Sequence, residues 1–198
     1  MPSIAFEKIK EDVLVKLNQG GPFLYYHNIH HTLDVLEQAA RIAREENIHD
    51  NEQLLLLQIA ALYHDAGYLV SHIDHEEKGC FIFKEACTNY DLSHSQIEII
   101  CGMIMATKLP QQPATHLEKI ICDADLDYLG RDDFFTLADC LRREFLALEI
   151  VATNEDWEIL QYNFLKNHTY FTNSSISQRA PLKMEHFKTI ETRLHLSS

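Results

Sequence analysis

The sequence predicts an all-α protein, a bundle of about eight or nine helices. Apolar residues recur at helical spacing along most of the chain, whereas the alternating patterns typical of strands are weak throughout. Glycine and proline are scarce, with 6 and 5 residues in a chain of 198, which disfavours a turn-rich β-sandwich. Hydrophobic residues make up 46% of the sequence, which is enough to bury a sizeable core.

The first three helices are assigned from apolar stripes, caps and breakers. The first covers residues 4–17. Asn28 is a candidate cap for the second, whose core stripe runs from Ile29 to Ala43. The third starts at about Glu52 and is apolar on every side, which is typical of a helix in the middle of a domain. Gly67 follows it and is a candidate helix stop.

Later helices are assigned in the same way. A fourth helix opens at Asp74–Lys78. The segments Ser93–Gln96 and Thr115–Glu118 have the form of capping boxes, so they predict the starts of the fifth and sixth helices. Further helices are predicted over 131–151, over 156–166, and from Pro181, placed in a first turn, to Leu196.

Composition limits the classes of partner. The formal net charge of −13 argues against an extended nucleic acid, because such a ligand requires a basic surface. A small phosphorylated ligand stays compatible, since a metal ion and local cations can hold it. The chain lacks a long apolar run and a basic, apolar leader over Met1–Glu7, so we expect a cytoplasmic protein without a membrane span. Its five cysteines form no CxxC pair and are expected to be reduced and mostly buried.

Four side chains that can bind metals stand next to apolar helix segments. His64 and Asp65 end the third helix, His31 lies on the second, and Asp125 lies near the end of the sixth. All four can point into one interior site, so we expect a divalent metal there. Two imidazoles and two carboxylates suit Mn, Co, Ni, Fe, Mg or Zn. An octahedral ion with four protein ligands keeps two positions for water or substrate.

The ordered set His31, His64-Asp65 and Asp125 resembles the pattern H…HD…D of the HD superfamily of metal-dependent phosphohydrolases. The segment Tyr26–Val35 is similar to the YHNxxHxxDV segment of cyclic-nucleotide phosphodiesterases. Asp123–Gly130 resembles an element of predicted HD-superfamily hydrolases. The resemblance implies a single HD-type domain over 1–198, with a motif-bearing core at about 23–130 and a C-terminal helical extension at 131–198.

The resemblance also implies roles for individual residues. The implied metal ligands are His31, His64, Asp65 and Asp125. His27 would protonate the leaving oxygen, which suits an imidazole with a pKa of about 6.5. Lys108 is a candidate to hold a phosphate oxygen, so the predicted catalytic residues are His27, Lys108 and Asp65. The expected reaction is hydrolysis of a phosphoester bond in a nucleotide or another small phosphorylated metabolite, by attack of a metal-bound hydroxide.

The sequence is compatible with other functions. Some HD-fold proteins, such as myo-inositol oxygenase, bind two irons and activate oxygen, and His72 or His75 would then bind a second metal. A non-catalytic sensor of metal or nucleotide is a further alternative, and a protein of this size and charge could form a homodimer. Glu76 could hydrogen-bond a ligand or a metal-bound water, but the favoured interpretation is a solvated carboxylate in the first turn of its helix. Asp123 and Asp127 are rivals of Asp125 as ligands.

Overall fold

Helices account for the regular structure in residues 4–21 and 23–197, the part of the chain that the computed structural model describes. No strand occurs among these residues, which confirms the all-α prediction. One-turn 3-10 helices cover Ala66–Leu69, Cys87–Asn89 and Asp127–Gly130. In chain order the α-helices are α1 (Ile4–Leu17), α2 (Ile29–Glu45), α3 (Asn51–Tyr63), α4 (His75–Ala86), α5 (His94–Ala106), α6 (His116–Asp125), α7 (Phe134–Ala147), α8 (Asn154–Asn167) and α9 (Asn173–Ser197).

Contacts within the chain group it into two compact units. The first unit comprises residues up to Gly21 and His27–Asp125, and the second comprises 22–26 and the residues from Leu126 onward. The single domain over 1–198, its core at 23–130 and its extension at 131–198 stay predictions, since grouping by contacts does not test independent folding. Within that range, residues 1–3, 22 and 198 lie outside the described residues.

The apolar helix α3 lies at the centre of the first unit. It packs against α1, α2, α5 and α6. Its side chains from Leu56 to Tyr63 are buried apart from Gln58, as predicted for a helix that is apolar on every side. Each fully buried Leu or Ile stabilises the fold by about 1.5–3 kcal/mol relative to an exposed position. The helix that carries His64 at its end is therefore held in place by apolar packing.

Two glycines bring the backbone of α4 against the end of α3. A Cβ atom on Gly79 would lie 2.8 Å from the carbonyl oxygen of Tyr63 and 3.3 Å from that of His64. A Cβ atom on Gly67 would overlap the carbonyl oxygen of His75. Gly67 does not have a left-handed φ, and α3 ends before it at Tyr63. The glycine is thus required for close approach to α4, rather than as the helix stop that the sequence predicts.

The second unit has its own apolar core and a helix that begins earlier than predicted. Tyr128, Leu129, Phe134, Trp157 and Leu165 are among its buried residues. The predicted start of the last helix at Pro181 is wrong, because α9 begins at Asn173 and contains Pro181.

A polar cap explains the earlier start of α9. The Thr172 hydroxyl oxygen accepts a hydrogen bond from the Ser175 N–H at 3.3 Å, which satisfies a donor of the first turn. Thr172 was therefore the signal in the sequence for a helix that starts at Asn173. Among the earlier helices, the capping box predicted at Ser93–Gln96 is present at the start of α5.

Gly79→Ala tests the contact between α4 and α3. We expect it to lower the free energy of unfolding by about 1–3 kcal/mol, because the new methyl group meets backbone carbonyls that cannot rotate away. Gly102→Ala in α5 is the matched control, since its Cβ would stand 3.5 Å from Glu118 Oε1, an ordinary contact. That substitution should stabilise α5 by about 0.5–1 kcal/mol. Urea unfolding measures the stability of both variants. Equal stabilisation of the two would contradict the close approach of α4 to the end of α3.

Candidate metal centre

The first turn of α2 places His31 in the interior of the first unit. The Asn28 side chain accepts a hydrogen bond from the His30 N–H at 2.9 Å, so Asn28 caps α2 as predicted. His31 shares one face of α2 with the buried Val35 and Ala39, each four residues further on. The imidazole therefore points inward with the apolar stripe.

The end of α3 provides two further donors. His64 is fully buried, and its Nδ1 lies 2.8 Å from the carbonyl oxygen of Ala61. A ring nitrogen that faces a carbonyl oxygen carries the proton, so Nε2 of the neutral ring presents its lone pair to the interior. Asp65 follows directly and is also buried. The apolar packing of α3 thus holds a tautomer-fixed imidazole and a carboxylate at neighbouring positions.

The last residue of α6, Asp125, supplies the fourth donor. Its Oδ1 lies 3.2 Å from His31 Nε2 and 3.5 Å from His64 Nε2. The two rival carboxylates, Asp123 and Asp127, are fully buried, but neither belongs to the group of side chains that converge with these histidines. We call His31, His64, Asp65 and Asp125 the four-donor cluster.

The spacing of the four-donor cluster fits one divalent ion. Donor atoms bound to an ion at about 2.0–2.3 Å lie about 3–4 Å from each other. Five of the six separations in the cluster are 3.2–3.5 Å, and all four donor atoms lie within 4.8 Å of one another. Asp65 Oδ2 is buried and lies 3.2 and 3.3 Å from the Nε2 atoms of His64 and His31. When those nitrogens carry no proton, this carboxylate oxygen has no hydrogen-bond donor, and a cation would satisfy it.

Electrostatics of the cluster favour a positive charge in its centre. Burial opposes protonation of both imidazoles, but the carboxylates outweigh it and raise the pKa of His31 and, more strongly, of His64. Burial likewise opposes ionisation of the acids, yet the imidazoles lower the pKa of Asp125 to about 2 and that of Asp65 well below its usual value. Both carboxylates are therefore ionised at neutral pH, and protons on the histidines supply the compensating charge.

A second group of donors borders the cluster on the other side of Asp65. His75 Nε2 lies 3.4 Å from Asp65 Oδ1 and 3.3 Å from Glu76 Oε1, while its Nδ1 lies 3.1 Å from the carbonyl oxygen of His72. Glu76 is only 4% exposed, so the prediction of a solvated carboxylate is wrong. The spacing of Glu76, Cys80 and Phe83, which share one face of α4, was the signal in the sequence that Glu76 is buried.

His27 lies beside the histidines of the cluster. Its ring stacks on Tyr68, with centroids 3.9 Å apart and planes inclined by 12°. The centroid of His31 is 5.8 Å from that of His27, and His75 packs against Tyr68 at 4.4 Å. Tyr68 was not singled out from the sequence, because its position along the chain does not predict that it stacks on His27.

Lys108 is placed on the surface of the first unit. Its ammonium lies 2.9 Å from Asp74 Oδ1 and 2.6 Å from Glu77 Oε1. Both carboxylates raise the pKa of Lys108, and the hydrogen bond to Glu77 has the larger effect. The structure therefore brings Lys108 together with the first turn of α4 and not with the four donors. Its predicted contact with a phosphate oxygen stays a prediction.

Comparison with known proteins identifies the fold that carries this arrangement. A family model described as the HD domain matches residues 28–127, just over half of the chain of 198 residues. A crystal structure described as a predicted HD superfamily hydrolase, from an uncultured Thermotogales bacterium, covers 95% of this chain and 92% of its own. It has 18% sequence identity and a TM-score of 0.58, a likeness that shows the fold. No curated protein matches the chain. Among the described residues, no helix is long and apolar enough to cross a membrane.

Metal affinity should fall as the pH is lowered. The pKa values of His31 and His64 are raised in the metal-free protein, and an ion displaces their protons, so binding releases protons at neutral pH and below. Below both values the apparent affinity should drop by up to about a hundredfold per pH unit. Titration calorimetry in buffers of different ionisation enthalpy counts the protons released. A metal affinity that stays the same between about pH 6 and pH 8 would contradict the raised pKa values.

Proposed function

Because the chain belongs to the HD domain family, we propose that it is a metal-dependent hydrolase of phosphoester bonds in small phosphorylated metabolites. The observation that carries this proposal is the four-donor cluster, in which two imidazoles and two carboxylates converge at distances of 3.2–3.5 Å. The similar crystal structure is described as a predicted hydrolase, which supports the same reaction class. The family and the donor set thus both support a metal-dependent hydrolase.

His31, His64, Asp65 and Asp125 would hold the ion. A divalent ion in such a site supplies positive charge to a phosphoryl group and lowers the pKa of water, so that hydroxide is available near neutral pH. The chain contributes the fixed donor positions and a buried environment, in which charge acts more strongly than in water. Asp65 contacts both groups of donors, because one oxygen faces the ion position and the other faces His75.

His27 is proposed as the group that protonates the leaving oxygen. Stacking on Tyr68 fixes the plane of its ring beside the four-donor cluster. An imidazole is suited to this role, since its unperturbed pKa of about 6.5 lets it both hold and release a proton near neutrality. Protonation of the leaving group matters most for alkoxide leaving groups, which are strong bases.

The proposed substrate is small, with nucleotides included in the class. A net charge of −13 repels an extended polyanion, whereas a single phosphate group needs only a local positive centre. The buried position of His31, His64 and Asp65 also favours a ligand that can enter the first unit. We assign no cyclic nucleotide, because the chain lacks the remaining nucleotide-pocket segments of the phosphodiesterases.

His64→Ala and Asp65→Ala test the assignment of the metal site. Each variant should lose bound metal and hydrolysis together, because each removes a donor from a buried site. Metal content is measured by elemental analysis, and activity on nucleoside monophosphates, cyclic nucleotides, dinucleotides and an aryl phosphate with Mn, Co, Ni, Mg and Zn. His30→Ala is the matched control, since His30 precedes His31 but its side chain is exposed. Hydrolysis that persists in both donor variants would rule out the assignment, and nucleotide binding without turnover would indicate a sensor.

A second candidate function is an oxygenase with two irons. The observation in its favour is the group formed by His75, Glu76 and the outer oxygen of Asp65, which could hold a second cation beside the first. The elemental analysis of the preceding experiment separates the candidates. One Mn, Mg or Zn per chain favours hydrolysis, whereas two Fe per chain favour oxygen chemistry.

His27→Gln tests the role of His27 through the leaving group. It should slow hydrolysis of an alkyl phosphoester by about 100- to 10,000-fold, because the alkoxide then leaves without a proton. An aryl phosphate with an acidic phenol should be affected far less, and metal affinity should be unchanged. Comparison of kcat for the two substrates gives the answer. Equal losses on both substrates would show that His27 does not protonate the leaving group.

A further inference from the structure

The helices α4 and α5 lie side by side in opposite directions, and pairs of residues face each other along their interface. Lys84 Nζ pairs with Glu98 Oε1 at 3.5 Å, and Lys108, just beyond α5, pairs with Glu77 at 2.6 Å. Ion pairs thus hold both ends of the interface. The middle of the interface is occupied by Cys80 of α4 and Cys101 of α5.

The two thiols face each other within this interface. Cys80 donates a hydrogen bond through its thiol to the carbonyl oxygen of Cys101, with 3.6 Å between Sγ and O. The two thiols lie close enough for each to shift the pKa of the other. Cys80 is 8% exposed and Cys101 is 7% exposed, so neither side chain is fully sealed from solvent. Both thiols are free in the structure, as predicted from the sequence.

We propose that Cys80 and Cys101 form an oxidisable thiol pair that closes to a disulfide when it meets a peroxide. In the first step the Cys101 thiolate attacks one oxygen of hydrogen peroxide, which gives a sulfenic acid and releases hydroxide. In the second step the Cys80 sulfur attacks the Cys101 sulfur and expels the sulfenic oxygen as water. The two thiols together lose two protons and two electrons, and hydrogen peroxide is reduced to two molecules of water.

The surroundings favour Cys101 as the first nucleophile. The Lys84 ammonium pairs with Glu98 on the same interface and lowers the pKa of the Cys101 thiol, while burial raises that of the Cys80 thiol. Lys84 therefore favours the Cys101 thiolate as the first nucleophile. Cys80, whose sulfur reaches the Cys101 backbone, is placed to resolve the sulfenic acid.

Oxidation should also reach the metal centre through Gly79. A disulfide draws the two sulfurs to about 2.05 Å, which shifts α4 at Cys80 toward α5. The adjacent Gly79 packs against the carbonyl oxygens of Tyr63 and His64, so the shift disturbs the end of α3. This second part rests on the proposed metal site. We expect the disulfide to weaken metal binding by about tenfold, near the lower end of couplings between sites.

Peptide mapping tests the thiol pair directly. Trypsin places Cys80 in the peptide Gly79–Lys84 and Cys101 in Glu85–Lys108, which also contains Cys87. The experiment therefore uses full-length Cys87→Ser, in which a serine hydroxyl can keep the hydrogen bond from position 87 to the Lys84 carbonyl oxygen. After treatment with hydrogen peroxide, mass spectrometry should show these two peptides linked. Dithiothreitol should separate them, and both Cys101→Ser and Cys80→Ser should abolish the link.

The partly exposed Cys140 of the second unit provides the internal control. Recovery of both peptides unlinked while Cys140 is oxidised would overturn the proposal, as would sulfinic acid on Cys101 without a link. Metal affinity of the oxidised and reduced protein is then compared by calorimetry with Mn. An unchanged affinity in linked protein would overturn the coupling to the metal centre. A link without metal binding in either state would count against the proposed function and leave the thiol pair standing.

Discussion

Placement of two carboxylates, the buried Asp65 and the partly buried Asp125, beside two imidazoles is the constraint on which the candidate site depends. Moving an ionised carboxylate out of water costs several kcal/mol unless a positive charge accompanies it. Asp65 and Asp125 are held with their oxygens 3.2–3.5 Å from two imidazoles, so that charge comes either from protons on the histidines or from a cation. The same arrangement that destabilises an empty, fully deprotonated site creates affinity for a divalent ion.

The C-terminal ends of two helices supply three of the four donors, and this suits a cation. His64 follows the last residue of α3, and Asp125 is the last residue of α6. The carbonyl groups at a helix C-terminus carry a partial negative charge, which adds to that of the carboxylates. At each of these ends the apolar face of the helix fixes the position of the donor. Packing of hydrophobic side chains is therefore what gives the polar site its geometry.

The sequence predicted the features that depend on local pattern and missed those that depend on tertiary packing. The cap of α2 at Asn28 and the capping box of α5 are local, and both are present. The four donors could be proposed because the motif orders them along the chain. The burial of Glu76 and the stacking of Tyr68 on His27 arise only when helices meet, so spacing alone did not reveal them. In α9, a rule for proline in first turns misplaced the start, because the helix continues through Pro181.

Among the helices that surround the site, α4 is one through which the rest of the first unit can act on the donors. Its first turn presents His75 and Glu76 to the outer oxygen of Asp65. One turn later, Gly79 touches the backbone of His64, and Cys80 faces α5. Since α4 supplies no member of the four-donor cluster, a small displacement of it changes the support of Asp65 and His64 without removing a donor. An element placed in this way can adjust metal affinity while the donor set itself stays intact.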